Sequence, residues 1–307
     1  MRKPTSKQSL ITLLPTQPKK PNPISKLSAI PPGIARLVTA VVLLPILIAS
    51  ILVPKLAPLF VVLVGVALLL ALLEFWLIAA KQQIRADPVA GFLGAAALFA
   101  IFYFARPREA VDFSAVVAVL ILLTICSLVA AMLRGAPFER MLARSGATVL
   151  GVMYVVLLGS HLVAVRNGFS AELSKDLLSF FFLVLMGSDA AAYYGGRAFG
   201  RHKLAPNVSP GKTWEGAVAG MLASLLLAAA AHYWFFRQLP LKFALPLAAA
   251  MNVFGVLGDL SESALKRSAG TKDTAKILPG HGGMLDRVDS LLFNAPLIYY
   301  FALVYFR

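Results

Sequence analysis

The chain has 307 residues, 59% of them hydrophobic and 14% charged, with a mean hydropathy of +0.79. Soluble domains carry about a quarter charged residues, so this composition excludes an ordinary soluble fold and places the chain in a bilayer. The net charge is +15, from 29 Lys and Arg against 14 acids. In so apolar a chain that excess concerns membrane topology and surface, and no nucleic acid is expected.

Residues 1–36 hold seven basic residues, no acid and seven prolines. The prolines prevent a continuous helix, so the segment reads as a disordered basic arm drawn to anionic lipid. They also spoil the amphipathic helix of an organelle transit peptide, and no cleavable leader is expected. Lipid offers the backbone no hydrogen-bond partner, so each crossing requires about 20 apolar residues in a helix. Nine stretches qualify, at 37–54, 56–80, 89–105, 113–133, 145–165, 177–197, 214–236, 242–260 and 289–306. The expected fold is an all-α polytopic membrane bundle of about nine transmembrane helices. With the N-terminus cytoplasmic, 21 of the 29 basic residues fall on the cytoplasmic side and 8 opposite, as the positive-inside rule demands. Loops 198–213 and 261–288 then share the cytoplasmic face. Residues 37–165 read as a transmembrane scaffold and 166–307 as the catalytic region.

Within the scaffold, Glu74 stands out, because an acid inside a span is costly. It belongs either to a site or to a bond with another helix. Cys126, the sole cysteine, lies inside the fourth stretch and supports neither a disulfide nor a thiolate zinc site. In the sixth stretch Asp189, Tyr193 and Arg197 recur at i, i+4 and i+8 and share one face, as a salt-bridge ladder or as a site wall. The loop that follows, 201–213, gathers cations, hydroxyls, two prolines and a glycine. Ser209 and Lys212 lie there, just before a helix whose free N–H groups favour a phosphate. Glu215 in its first turn serves either that helix's dipole or the site.

Half of the acids lie from Asp189 onward, and the densest group surrounds the last loop. Asp286 and Asp289, at i and i+3, project from one helix face, and Asp259 closes the preceding span. Such a carboxylate set suits magnesium, whose shell is completed by phosphates and water. Ser263, Lys266, Arg267, Lys272 and Arg287 surround it, and Gly280-His281-Gly282-Gly283 offers a close backbone approach to an anion. The chemistry indicated is metal-dependent transfer between a polyphosphate and a lipid.

The run Ser263-x-Leu265-Lys266-Arg267-x-x-x-x-Lys272-Asp273 through Leu278-Pro279-x-His281-Gly282-Gly283-Met284-x-Asp286-Arg287-Val288-Asp289 resembles the signature of phosphatidate cytidylyltransferases (CDP-diacylglycerol synthases). Asp189 to Gly216, ending Ser-Pro-Gly-Lys-Thr-Trp-Glu-Gly, is similar to a second block of that family, and Glu74-Phe75-Trp76 to a weaker one. Thr274 and Lys276 depart from its usual pattern. The resemblance implies CTP and magnesium, with room for a second cation, meeting phosphatidate at the cytoplasmic face of a bacterial inner membrane, in a protein that pairs as a homodimer. It assigns the metal to Asp259, Asp286 and Asp289. Catalytic roles fall to these and to Lys266, Lys272, His281 and Arg287, with His281 a donor and not a base. Phosphate binding falls to Asp189, Ser209, Lys212, Ser263, Arg267, Gly282 and Gly283. The rival readings are a CDP-alcohol phosphatidyltransferase, which carries a longer four-aspartate motif, and an intramembrane cation transporter built on Glu74, Asp189 and Asp259.

Overall fold

The computed structural model describes residues 32–105, 110–135, 138–271 and 283–306, with side chains from residue 41 onward. Residues 1–31 of the arm and the site candidates Lys272, His281 and Gly282 lie outside the described residues, whereas residues 32–36, expected in the arm, begin a helix. The helices are α1 Pro32–Leu52, α2 Ala57–Lys81, α3 Pro88–Tyr103, α4 Phe113–Leu133, α5 Met141–Gly151, α6 Leu158–Asn167, α7 Ala171–Phe199, α8 Trp214–Trp234, α9 Leu241–Ser268 and α10 Leu285–Tyr305. A π-helical turn, Val152–Leu157, joins α5 to α6 in one rod. Among the described residues, seven helical segments are long and apolar enough to cross a membrane, and Val41–Leu52 and Pro88–Tyr103 are shorter apolar helices.

Two elements differ from expectation. The loop after α7 is a hairpin, β1 Lys203–Ala205 against β2 Ser209–Thr213, antiparallel with Lys203 opposite Thr213 and Ala205 opposite Ser209. The fold is thus nearly, not wholly, α. Helix α9 also runs past 260 to Ser268, so Ser263, Lys266 and Arg267 belong to a helix and not to a loop. Its last two turns are polar, which hides them from a hydropathy reading but leaves nothing to break the helix.

Helices α7 and α8 share the most extensive interface, and α9 packs on both α8 and α10. Small residues make this possible. Ser188, Ala192 and Gly196 recur every fourth residue on α7 and meet Gly216 and Gly220 on α8. A Cβ on Gly216 would lie 2.7 Å from the Ala192 carbonyl oxygen and 3.2 Å from Gly196 Cα. Two small-xxx-small faces therefore bring the backbones together, the favoured contact where no hydrophobic effect drives association. A comparable approach joins α9 to α10, where a Cβ on Gly258 would lie 2.6 Å from the Asp289 carbonyl oxygen.

Candidate active site

Thr213 caps α8, its Oγ1 accepting from Gly216 N–H at 3.2 Å, so the hairpin leads straight into the helix. Glu215, one residue into α8, reaches back. Its carboxylate accepts from the N–H groups of Arg201 and His202 and lies 2.6 Å from His202 Nδ1. That carboxylate holds the hairpin's entry as well as facing the helix dipole. The hairpin is held against α9 by Arg267, which donates from Nε to the Val208 carbonyl oxygen at 3.2 Å, and by Lys212, whose Nζ lies 2.6 Å from Asp259 Oδ2.

Beneath this latch lies a cavity of about 560 Å³ between α7, α8, α9 and the hairpin. Asp189, Ser209, Lys212 and Asp259 all line it, so four residues singled out in the sequence converge. Tyr193 and Arg197 complete the α7 wall, and Asn252 lies deeper on α9. The carboxylates of Asp189, Asp259 and Asp289 act on one another electrostatically, with Lys212 as their shared cation. Ser263 donates to Asp259 Oδ1 at 3.3 Å, and Asp289 Oδ1 accepts from Ser290 N–H at 2.6 Å.

A second ionic group lies beside the first. Lys266 Nζ is 2.6 Å from Glu262 Oε2 and 2.8 Å from Asp286 Oδ1. Glu262 is only 1% exposed, so this ammonium neutralises a carboxylate removed from water. Of Asp259, Asp286 and Asp289, the three acids expected to hold one metal, Asp286 bonds Lys266 here. Asp286 turns to the last turn of α9 while Asp289, one turn on, faces Asp259. Among the described residues, no three His, Cys, Asp or Glu side chains converge as a metal site. Arg267 and Arg287 are exposed, and buried Gly283 precedes α10.

The N-terminus of α10 has no cap from its own neighbours. Glu74, fully buried in α2, supplies one, its two oxygens accepting from Met284 N–H at 2.8 Å and Leu285 N–H at 2.7 Å. The charge inside the span is thus placed where the helix dipole and two free donors stabilise it. Asn252 and Glu262 were not singled out as site residues in the sequence. The i, i+4 spacing of Glu262 and Lys266, and a lone amide two turns before Asp259, were the available signals.

Residues 34–305 match the profile of the cytidylyltransferase family. The chain belongs to that family. Relatives include phosphatidate cytidylyltransferases of Haemophilus influenzae, 43% identical over 129 residues, and Bacillus subtilis, 38% identical over 158. A third, from Staphylococcus saprophyticus, is 45% identical over 119 residues. These alignments cover 41%, 50% and 39% of the chain and 45%, 57% and 46% of the respective relatives. The chain therefore spans about half the length of the curated relatives it matches.

Proposed function

We propose that the protein transfers the cytidylyl group of CTP to phosphatidate, giving CDP-diacylglycerol and pyrophosphate for phospholipid synthesis. The observation that carries this reading is the cavity closed by Lys212 and Asp259, which places acids, an ammonium and a hydroxyl at the end of a membrane bundle. A phosphate oxygen of phosphatidate forms the new bond to the α-phosphorus of CTP, and the bond from that phosphorus to the bridging oxygen breaks as pyrophosphate leaves. The nucleophile is already ionised at neutral pH, so no strong base is required. Lys212 and Lys266 are held by carboxylates before substrate arrives, and preorganised charge of this kind stabilises a phosphoryl transition state.

Asp259 and Asp289 act on each other electrostatically, and a pair of carboxylate oxygen donors suits a hard cation. In this reading Asp259 and Asp289 would hold magnesium. When bound, that ion would supply charge neutralisation to the phosphates, and Asp286 orients Lys266. The excess of basic residues on one side supports a cytoplasmic N-terminus and site in a bacterial inner membrane. The two shorter apolar helices bring the proposed number of crossings to nine. Pairing as a homodimer rests on the family resemblance alone.

The test is turnover by the purified protein in lipid, with CTP, phosphatidate and magnesium. Expected are CDP-diacylglycerol and pyrophosphate in equal amounts, and a loss of at least about a hundredfold in Asp259→Asn. Folded, lipid-supplied protein that makes neither product overturns the assignment.

A further inference from the structure

The cavity between α7, α8, α9 and the hairpin is cationic at one end and polar but uncharged by any cation at the other. Ser209 and Lys212 of the hairpin and Arg197 in the last turn of α7 line the cationic end. On α9, Asn252 precedes Asp259 by seven residues, and on α7, Asp189 precedes Arg197 by eight. Each therefore stands about 10 to 12 Å further from the hairpin, and both line the cavity. At that depth the three helices converge. A Cβ on Gly220 of α8 would lie 3.1 Å from the Asn252 amide nitrogen, 3.1 Å from the Ser188 carbonyl oxygen and 3.2 Å from Ala192 Cβ. Atoms of α7 and α9 thus meet at one point on α8, and Asn252 and Asp189 form the floor of the cavity above it.

Neither floor residue has a partner of its own. Asn252 is only 6% exposed and Asp189 opens on the cavity, yet neither makes a hydrogen bond or an ion pair among the described residues. A buried amide ordinarily has its bonds made, and a carboxylate repels a phosphate, so Asp189 is ill suited to that anion. Phosphates belong at the other end, with Lys212. Beyond its phosphate, phosphatidate continues into two acyl chains, which a polar floor between converging helices does not accommodate. A nucleotide continues into a sugar and ends in a base. One edge of cytosine presents an exocyclic amino group, which donates, beside a ring nitrogen, which accepts. A carboxylate only accepts and a primary amide can donate, so the floor offers the complement of that edge. Uracil reverses both groups and would set a carbonyl oxygen against the Asp189 carboxylate.

We propose that Asp189 and Asn252 read the base of the nucleotide, Asp189 accepting from the 4-amino group of cytosine and the Asn252 amide donating to the adjacent ring nitrogen. The inference rests on the transfer reaction above and adds to it the source of a preference for CTP over UTP. Gly220 leaves the room that the amide occupies.

The test compares CTP with UTP and with the CTP analogue that carries hydrogen in place of the 4-amino group. Full-length protein in nanodiscs is supplied with phosphatidate and magnesium. Wild type is expected to favour CTP over both by about a hundredfold or more in kcat/KM, since a site built to bond an N–H group rejects a substrate that lacks it. Wild type that uses the analogue as well as CTP overturns the proposal without any variant. Asp189→Asn and Asn252→Leu are each expected to lower the preference at least ~tenfold and to leave the KM for phosphatidate unchanged. The preference is a ratio within one protein, so a smaller folded fraction does not alter it. A merely structural role would slow all three nucleotides by one factor, and that intact ratio overturns the proposal. Proteins too slow to assay are compared by equilibrium binding of the same three nucleotides. Wild type that makes no product yet binds CTP more tightly than the analogue supports the base contact and points to failure of the reaction assignment, whereas equal binding overturns the contact itself.

Discussion

Lys266 illustrates how one side chain serves fold and chemistry together. Its ammonium is bound by Glu262, at 1% exposure, and by Asp286. Removing one member of a buried ionic group leaves the other charge without compensation, at a cost of roughly 3–5 kcal/mol. Lys266→Met is therefore expected to lower the melting temperature sharply and abolish turnover. Adding Glu262→Gln removes the stranded charge, so the double variant should recover most of the thermal stability and none of the activity. Recovery of both in melting and turnover assays would show that Lys266 is needed only to neutralise Glu262. Lys212 differs, because its partner Asp259 is partly exposed at the cavity wall. Lys212→Ala should reduce turnover by at least about a hundredfold, with little change in melting.

At the level of helices, the close approaches at glycine make a sharper prediction than any polar contact. Gly216→Ala would set a methyl 2.7 Å from the Ala192 carbonyl oxygen, and backbone cannot yield as a flexible side chain can. The expected result is α8 displaced from α7, an altered cavity and a large loss of turnover. Gly146→Ala in α5 meets no atom within 4 Å, so it should stabilise by about 0.5–1 kcal/mol through helix propensity and leave activity unchanged. Glu74→Gln tests the link from α2 to α10. An amide puts an NH2 donor where the second carboxylate oxygen accepts, so protection of the Met284 and Leu285 amides against hydrogen exchange should fall, with about 1.5–3 kcal/mol lost. Much of this architecture was legible in the sequence, because an unbroken apolar run has little alternative to a helix in lipid. The end of α9 was not, since polar residues beyond 260 look like a loop unless their partners on α10 are known. Nor was the three-residue strand β1, which is too short to give an alternating pattern. Asp286 and Asp289 were correctly placed on one helix, yet i, i+3 spacing could not reveal that one turns to Lys266 and the other to Asp259.

Across the whole molecule, the parts read as scaffold and as catalytic region are tied at the same end of the bundle. Glu74 holds the start of α10, while Lys81 and Gln82 at the end of α2 bond Thr271 and Ser268 near the end of α9, each at 3.0 Å. Every residue of the ionic cavity lies on that side, whereas Glu172, Lys175 and Asp176 mark the far end of α7. The orientation is thus open to a direct test using one crossing. Asn207 in the hairpin and Gln238 beyond α8 are both exposed and are separated by that helix alone. Cys126 is the only cysteine and is exposed on α4, so Cys126→Ser gives a clean background for Asn207→Cys and Gln238→Cys. In sealed right-side-out vesicles, a membrane-impermeant thiol reagent should label position 238 and spare 207, and in inverted vesicles the order should reverse. That outcome puts the nucleotide entrance on the side where the basic residues accumulate and CTP is made. Labelling of 207 from outside would reverse the topology. The cavity's acids would then face away from the cytoplasmic nucleotide pool, which the proposed reaction cannot accommodate whatever the geometry of Lys212 and Asp259.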